Sequence, residues 1–457
     1  MTVRADELHR TAKLFVEQGR VGKLEDAVEL LRSFVLQVVV GPDVIGSLTR
    51  EAALLTVINT GQRAFLGGVV VRLPAADKEL ITPWATHLML SQAVERFGGT
   101  IVDHLNDRYP TIVVGSADEP GSIKIWPTWH GWSGGVASDP SQKLPEEMDN
   151  ELSGALAAGV AVSEAFHHVA GSSEAGRRSV GISLWRPDLD WRSQDAAGPP
   201  RSYLPREYWL PGLGHLGQAY AWLIGSLPYA DTGPSVLLQD FDSVVAANES
   251  TSLLATAADL GKRKTRLVAS RLEGLGFATT LVERRFDMHT RRDADEPLLC
   301  LAGFDHPEPR RALGATGFDR VVDAGLGSGA RYTDMLIQSF AAGQSTADAF
   351  ADPLQPRPAE ELIDVPAYSE LVERLVAEGA ERGEAECGLV EIAGTTVAAS
   401  FVGVVAAAVT LSEALRLLHG GLSCQAFAYS LRSPRVVEVA VSDDVTPPAF
   451  GYLEVRP

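Results

Sequence analysis

In the second half of the chain, short apolar runs rich in β-branched residues alternate with stretches whose apolar positions recur every three or four residues. "SVLLQDFDSVV" reads as a strand, "LGKRKTRLVASRLEGLG" as a helix, and "FATTLVERRF", "PLLCLAGFD" and "FDRVVDAGLGSG" as further strands. That order predicts an α/β protein with a doubly wound parallel sheet. The first half repeats the theme, with "FVLQVVVG" as a strand, "SLTREAALLTVINTGQRAF" as an amphipathic helix, and "GGVVVRL" and "PTIVVG" as strands. Both halves close on a similar helix. Ala157 to Gly171 lies over Ala406 to Gly420 with seven of fifteen positions identical, which a duplicated architecture explains. Gly, Pro and Ser cluster in "RSQDAAGPPRSYLP", placing one domain over residues 1–195 and a second over 196–457. After Gly421 the chain reads as a few terminal strands.

The two copies differ where chemistry would sit. "LPGLGHLGQAYAWLIG" sets Gly212, Gly214 and Gly217 in the pattern G-x-G-x-x-G between a strand and a helix, a turn that can cradle a phosphate. Its counterpart, "VVVGPDVIGSLT", has only Gly41 and Gly46, with Pro42 in the loop, so the N-terminal copy reads as degenerate. The second copy also carries an extra stretch, about 344–390, with a Pro-rich link and an acidic helix, expected to cross the domain surface.

Composition narrows the classes. At 457 residues, 45% hydrophobic and 22% charged, the chain is an ordinary globular one. Forty basic against 59 acidic residues give a formal charge of −19, which argues against general binding to nucleic acid or anionic lipid. No window reaches the roughly 18 uninterrupted apolar residues of a membrane span, and the start lacks a signal-peptide core, so a cytoplasmic protein without membrane contact is expected. Three scattered cysteines, Cys300, Cys387 and Cys424, make neither a disulfide framework nor a C-x-x-C zinc site.

A glycine loop alone suits an NAD-dependent oxidoreductase equally well. The residues beyond the loop point elsewhere. Asp240 and Asp242 stand in "LQDFDSVV", Asn248 in "AANES", Lys264 in "DLGKRKTR", and Asp305 ends the strand "LLCLAGFD". Asp240 can take both hydroxyls of a ribose. Lys264 and Asn248 suit a triphosphate whose charge grows as an acyl group attacks the α-phosphorus, and Asp305 is a hard oxygen ligand for magnesium at the carboxyl edge of the sheet. Their order resembles the adenylation domain of the ThiF/MoeB and ubiquitin-activating enzyme superfamily, from about Tyr208 to Gly421. The resemblance implies two Rossmann-like adenylation-type domains forming an intrachain pseudodimer. It implies ATP held by Gly212, Gly214, Gly217, Asp240 and Asp242, phosphate contacts at Asn248 and Lys264, and Mg2+ at Asp305. Where the family has an arginine, this chain has Thr251; Lys262, Arg263 or the other half is expected to supply that charge.

The resemblance further implies an acyl-accepting cysteine on the crossing segment, which makes Cys387 in "AECGLVEIAG" the candidate. A helix start would lower its thiol pKa, and Glu384 and Glu386 would raise it. Cys300 and Cys424 read as buried strand positions. In the family an inactive half braces the active one and supplies a basic residue from near its own N-terminus, a role assigned here to Arg10, with Lys13 and Arg20 as competitors. The fused pair resembles the activating enzymes of bacterial ubiquitin-like conjugation operons of the Bil type, associated with antiphage defence. The implied partners are a ubiquitin-like protein, through its C-terminal tail, and a conjugating enzyme; a homo-oligomer is compatible with the family. The rival readings are adenylation of a sulfur-carrier protein or peptide, the oxidoreductase, and a scaffold with a decayed ATP site.

Overall fold

The computed structural model describes residues 9–117, 123–230, 233–350, 397–435, 437–443 and 447–455, together with Glu373, Val376 and Ala377. Two sheets organise it. The first holds β1 (Leu36–Val40), β2 (Val69–Arg72), β3 (Gly99–Ile101), β4 (Thr111–Val114), β5 (Lys124–His130), β6 (Ser133–Ala137) and β7 (Val180–Ser183), in the order β3-β2-β1-β4-β5-β6-β7. After β8 (Tyr203–Pro205), the second holds β9 (Glu207–Pro211), β10 (Ser235–Gln239), β11 (Ala278–Val282), β12 (Leu299–Ala302), β13 (Arg320–Leu326), β14 (Asp334–Ala341), β15 (Ser423–Ser430) and β16 (Val437–Ser442), in the order β11-β10-β9-β12-β13-β14-β15-β16. β17 (Tyr452–Glu454) pairs with β8. In each sheet the first five strands are parallel and the rest antiparallel. The same order with the same switch of direction is the signature of a duplicated doubly wound unit.

The helices are α1 (Lys13–Glu17), α2 (Leu24–Arg32), α3 (Leu48–Ala64), α4 (Leu90–Arg96), α5 (Glu151–Val169), α6 (His215–Ser226), α7 (Lys264–Glu273), α8 (Pro307–Ala312), α9 (Thr346–Ala349) and α10 (Ser400–Leu418). The repeated helices are α5 and α10, which cross at the centre of the molecule. A Cβ on Gly159 would lie 2.9 Å from Val405 Cγ2 and 3.3 Å from Phe401 O, so the small residues set the crossing distance. α10 is apolar enough to span a bilayer, with a mean hydropathy of 1.8, and 94% of that window is buried inside the protein. Its hydrophobicity answers to its central position. α3, expected to be amphipathic, is buried on nearly every side. One face covers its own sheet while Asn59 Nδ2 donates to Leu253 O at 3.2 Å, so this polar position has its partner in the other half.

The repeat carries over to side chains. Glu164 of α5 accepts Gly176 N–H at 2.9 Å and pairs with Arg178 at 2.7 Å. Glu413, its counterpart in α10, accepts Cys424 N–H at 2.9 Å, takes the hydroxyls of Ser339 and Ser423, and pairs with Arg416. Each glutamate fastens the segment that follows its helix. Replacing Glu413 by alanine leaves the Arg416 guanidinium buried without its carboxylate. The expected loss is about 3–5 kcal/mol of unfolding free energy, measured by denaturant unfolding; a loss under about 1 kcal/mol would show the pair dispensable.

In the first half the turn after β1 is closed by its own side chain. Asp43 Oδ1 accepts Ser116 N–H at 2.7 Å, Oδ2 accepts the Ser116 hydroxyl at 3.1 Å, and Arg50 Nε lies 3.4 Å away. A carboxylate thus sits between the ends of β1 and β4, where a phosphate would have to enter. The degenerate copy is filled as well as lacking the three-glycine pattern.

Candidate functional site

The second half leaves the same place open. β9 ends at Pro211, and Gly212 turns the chain with φ +82, a left-handed conformation that glycine adopts without strain. A Cβ on Gly212 would stand 2.9 Å from Gly303 O, so the loop is pressed against the end of β12. Gly214 caps α6 with no atom within 4 Å of its would-be Cβ, leaving the helix N-terminus open to a ligand. A Cβ on Gly217 would meet Gly212 O at 2.0 Å. The three glycines therefore serve turn, ligand approach and close packing.

Asp240, just past β10, is buried and bolts the loop in place: Oδ2 accepts Leu213 N–H at 2.6 Å and Oδ1 accepts Asp242 N–H at 2.8 Å. Asp242 in turn holds Lys264. Its Oδ2 lies 2.9 Å from Nζ, and Lys264 N–H donates to Asp242 O at 3.0 Å. Lys264 opens α7 and is buried, so it is a fixed cation beside the loop, not a solvated one. Asn248 lies in the short turn Ala246–Ser250; its Oδ1 accepts Val245 N–H at 2.9 Å, and its Nδ2 makes no hydrogen bond among the described residues. Asp305 follows β12 and is exposed, with His306 Nε2 3.8 Å away. These positions all lie at the carboxyl edge of the parallel strands, where open α/β sheets bind ligands.

Thr251 is buried, which leaves no room for the arginine of the family pattern. Neither nearby substitute faces the loop freely: Lys262 pairs with Asp259 at 2.8 Å, and Arg263 donates to Phe241 O. The first half comes closer. Arg10 N–H donates to Ser250 Oγ at 3.2 Å, two residues from Asn248, and the Thr11 hydroxyl donates to Ala398 O at 2.9 Å just before α10. Of its competitors, Lys13 is buried and paired with Glu17, and Arg20 stacks on Phe15. Cys387 lies outside the described residues. Cys300 in β12 and Cys424 in β15 are buried; burial raises the Cys300 thiol well above its ordinary value and pushes Cys424 up to about 11, so both stay protonated.

The sequence did not point to Arg63, His9 or His215. Arg63, in the last turn of α3, donates across the halves to Leu253 O at 2.8 Å and Ala255 O at 3.2 Å, and its own carbonyl meets His9 Nε2 at 3.1 Å. His215 stands inside the glycine motif and packs on α10, where a Cβ on Gly403 would lie 2.3 Å from Nε2. No local pattern marks them, because their partners are distant in sequence.

Burial lowers His9, His215 and His167 to about 4; His167 lies with Nε2 2.8 Å from the Tyr332 hydroxyl. The unfolded chain takes up protons below about pH 6.5 while the native one resists until about 4, so stability falls as pH drops through that window. Each histidine accounts for about 2 kcal/mol at pH 5. Asp323, which burial raises to about 6, acts in the opposite sense, as do Glu51 and Asp149, also raised by burial, while His168 and His419, lowered by burial, add to the histidine effect. The denaturant midpoint should therefore drop clearly between pH 7.5 and pH 5; an unchanged midpoint would remove these histidines from the account.

The fold and site define a pseudodimeric Rossmann-type α/β protein in which one half keeps an open glycine cradle and the other closes it. Two family profiles match the chain, the BilD N-terminal domain over residues 35–184 and the BilD C-terminal domain over residues 204–421. The chain belongs to the BilD family. The bacterial E1-like protein BilD of Collimonas sp. (strain OK412) is 37% identical across 100% of this chain and 98% of its own length. Among solved structures, Escherichia coli MccB with ATP aligns at 12% identity and a TM-score of 0.34, covering 71% of this chain and 96% of that one. PaaA aligns at 12% identity and a TM-score of 0.33, covering 52% and 64%.

Proposed function

We propose that this chain is an ATP-dependent activating enzyme for a ubiquitin-like protein. The reading is carried by one observation: a glycine cradle bolted by Asp240 and flanked by the Lys264–Asp242 pair exists in one half alone, with the N-terminal residues of the other half threaded beside Asn248. Membership of a family with an E1-like relative supports it. ATP is placed with its ribose at Asp240 and its phosphates over Gly214 and the N-terminus of α6. Lys264, Asn248 and Arg10 face the triphosphate.

Asp305, an exposed hard carboxylate at the strand edge, fits a magnesium ion and would hold it there, where the ion would supply positive charge against the phosphates. In the first step the carrier's C-terminal carboxylate oxygen attacks the α-phosphorus and pyrophosphate leaves, giving the acyl adenylate. In the second, the Cys387 thiolate attacks the acyl carbon and AMP leaves, storing the acyl group as a thioester for a conjugating enzyme. Carrier-dependent exchange of labelled pyrophosphate into ATP tests the first step. Exchange with a ubiquitin-like carrier is expected. Exchange supported by peptides alone, or tight NADH binding without exchange, would replace the reading.

A further inference from the structure

Arg63 belongs to the half whose cradle is closed, yet its guanidinium works on the other half. Nη2 donates to Leu253 O and Ala255 O, and Nη1 reaches Glu249 O at 3.4 Å. Asn59, one turn earlier on α3, donates to Leu253 O as well. The side chain is buried, and Nε has no partner among the described residues. The carbonyl dipoles and the charge of Glu249 act against the cost of desolvating this cation, so its net contribution to stability is small. Stability is thus a poor account of it.

The reciprocal contact sharpens the point. α6 of the open half meets the segment after β2 of the closed half through a neutral group, Trp84 Nε1–H, which donates to Trp222 O at 2.9 Å and to Ser226 Oγ at 3.1 Å. An indole suffices on that side. Of these two contacts, the charged one lies where the clamped segment follows Asn248, whose carbonyl accepts Thr251 N–H at 3.1 Å and Ser252 N–H at 2.8 Å. Holding the carbonyls of Glu249, Leu253 and Ala255 therefore fixes the turn that carries Asn248.

We propose that Arg63 is a positioning residue of the nucleotide site: the guanidinium of the closed half sets the Asn248 turn so that its amide meets the triphosphate of a nucleotide bound in the open half. This rests on the reading of the glycine loop as an ATP cradle. Because Asn248 is placed at the outer phosphates, the effect is specific to ATP and spares AMP, whose single phosphate lies over the cradle.

The test is calorimetric titration of the full chain with ATP and with AMP, in wild type, Arg63→Met and Arg63→Lys, alongside thermal melting. Arg63→Met should weaken ATP binding by about 10- to 100-fold, leave AMP binding unchanged, and melt somewhat lower than wild type, because the carbonyls of Leu253 and Ala255 lose a donor. Arg63→Lys keeps the charge but not the planar fork and should recover part of the loss. Equal losses for ATP and AMP, or unaltered ATP binding in folded Arg63→Met, would overturn the proposal. If Arg63→Met does not fold, Arg63→Lys decides alone: selective weakening of ATP supports the proposal, and unaltered ATP binding overturns it. A wild-type chain that binds neither nucleotide removes the reading of the cradle, and the proposal with it.

Discussion

Gly217→Ala is expected to lose ATP binding by at least about 100-fold, equivalent to about 2.7 kcal/mol. The added methyl would lie 2.0 Å from Gly212 O, well inside contact distance, and the oxygen it meets is backbone. The loop must therefore move. It has nowhere to go without breaking other bonds: Gly212 N–H is tied to Gln239 O at 2.9 Å, Leu213 N–H to Asp240, and Gly303 N–H to Pro211 O at 3.1 Å. Displacing α6 instead would disturb Tyr220, whose hydroxyl donates to Ala302 O at 2.8 Å. Either route shifts the helix N-terminus away from the phosphates it is proposed to hold. Gly214→Ala is the matched control, since its methyl meets no protein atom; it should fold as wild type and weaken ATP only through contact with the nucleotide. Titration with ATP and thermal melting of both variants make the comparison. Full ATP affinity in Gly217→Ala would show that the three-glycine turn is not a phosphate cradle.

Cys387→Ala should abolish a thiol-sensitive covalent adduct between this chain and its carrier while pyrophosphate exchange persists. The two steps use different groups: adenylation needs the cradle and the carrier's carboxylate, whereas thioester formation needs a thiolate to expel AMP. Of the two other cysteines, Cys300 is enclosed in β12, and Cys424 has its N–H on Glu413 and its thiol raised by burial, so neither is a ready nucleophile. An adduct that survives Cys387→Ala would move the acceptor to one of them and require β12 or β15 to open. Loss of exchange together with the adduct would instead place Cys387 in the adenylation step.

The local order of this protein was legible from its sequence because that order is set by short-range physics. β-branched runs give β9, β10 and β12, the three glycines mark a junction where backbone must approach backbone, and the likeness of α5 to α10 announced two copies. Asp240, Asn248, Lys264 and Asp305 could be placed at one edge because every parallel strand ends there. What they do to one another was decided by the tertiary structure. Asp240 bolts Leu213, Lys264 is buried against Asp242, and Thr251 is enclosed where a cation was sought.

The closing of the first half was only partly visible. Pro42 and the missing glycine hinted at it, but the carboxylate of Asp43 reaches Ser116 across 73 positions, and no local pattern encodes that bond. Arg63 is the extreme case. In its own neighbourhood it is one more basic residue near the end of a helix; its carbonyl partners lie nearly two hundred positions away and meet it only when the halves pack. Periodicity and glycine placement determined which elements form and where a phosphate can approach. The packing of the two copies determined which side chains are buried, paired or held ready, because those energies depend on neighbours the chain brings together only on folding.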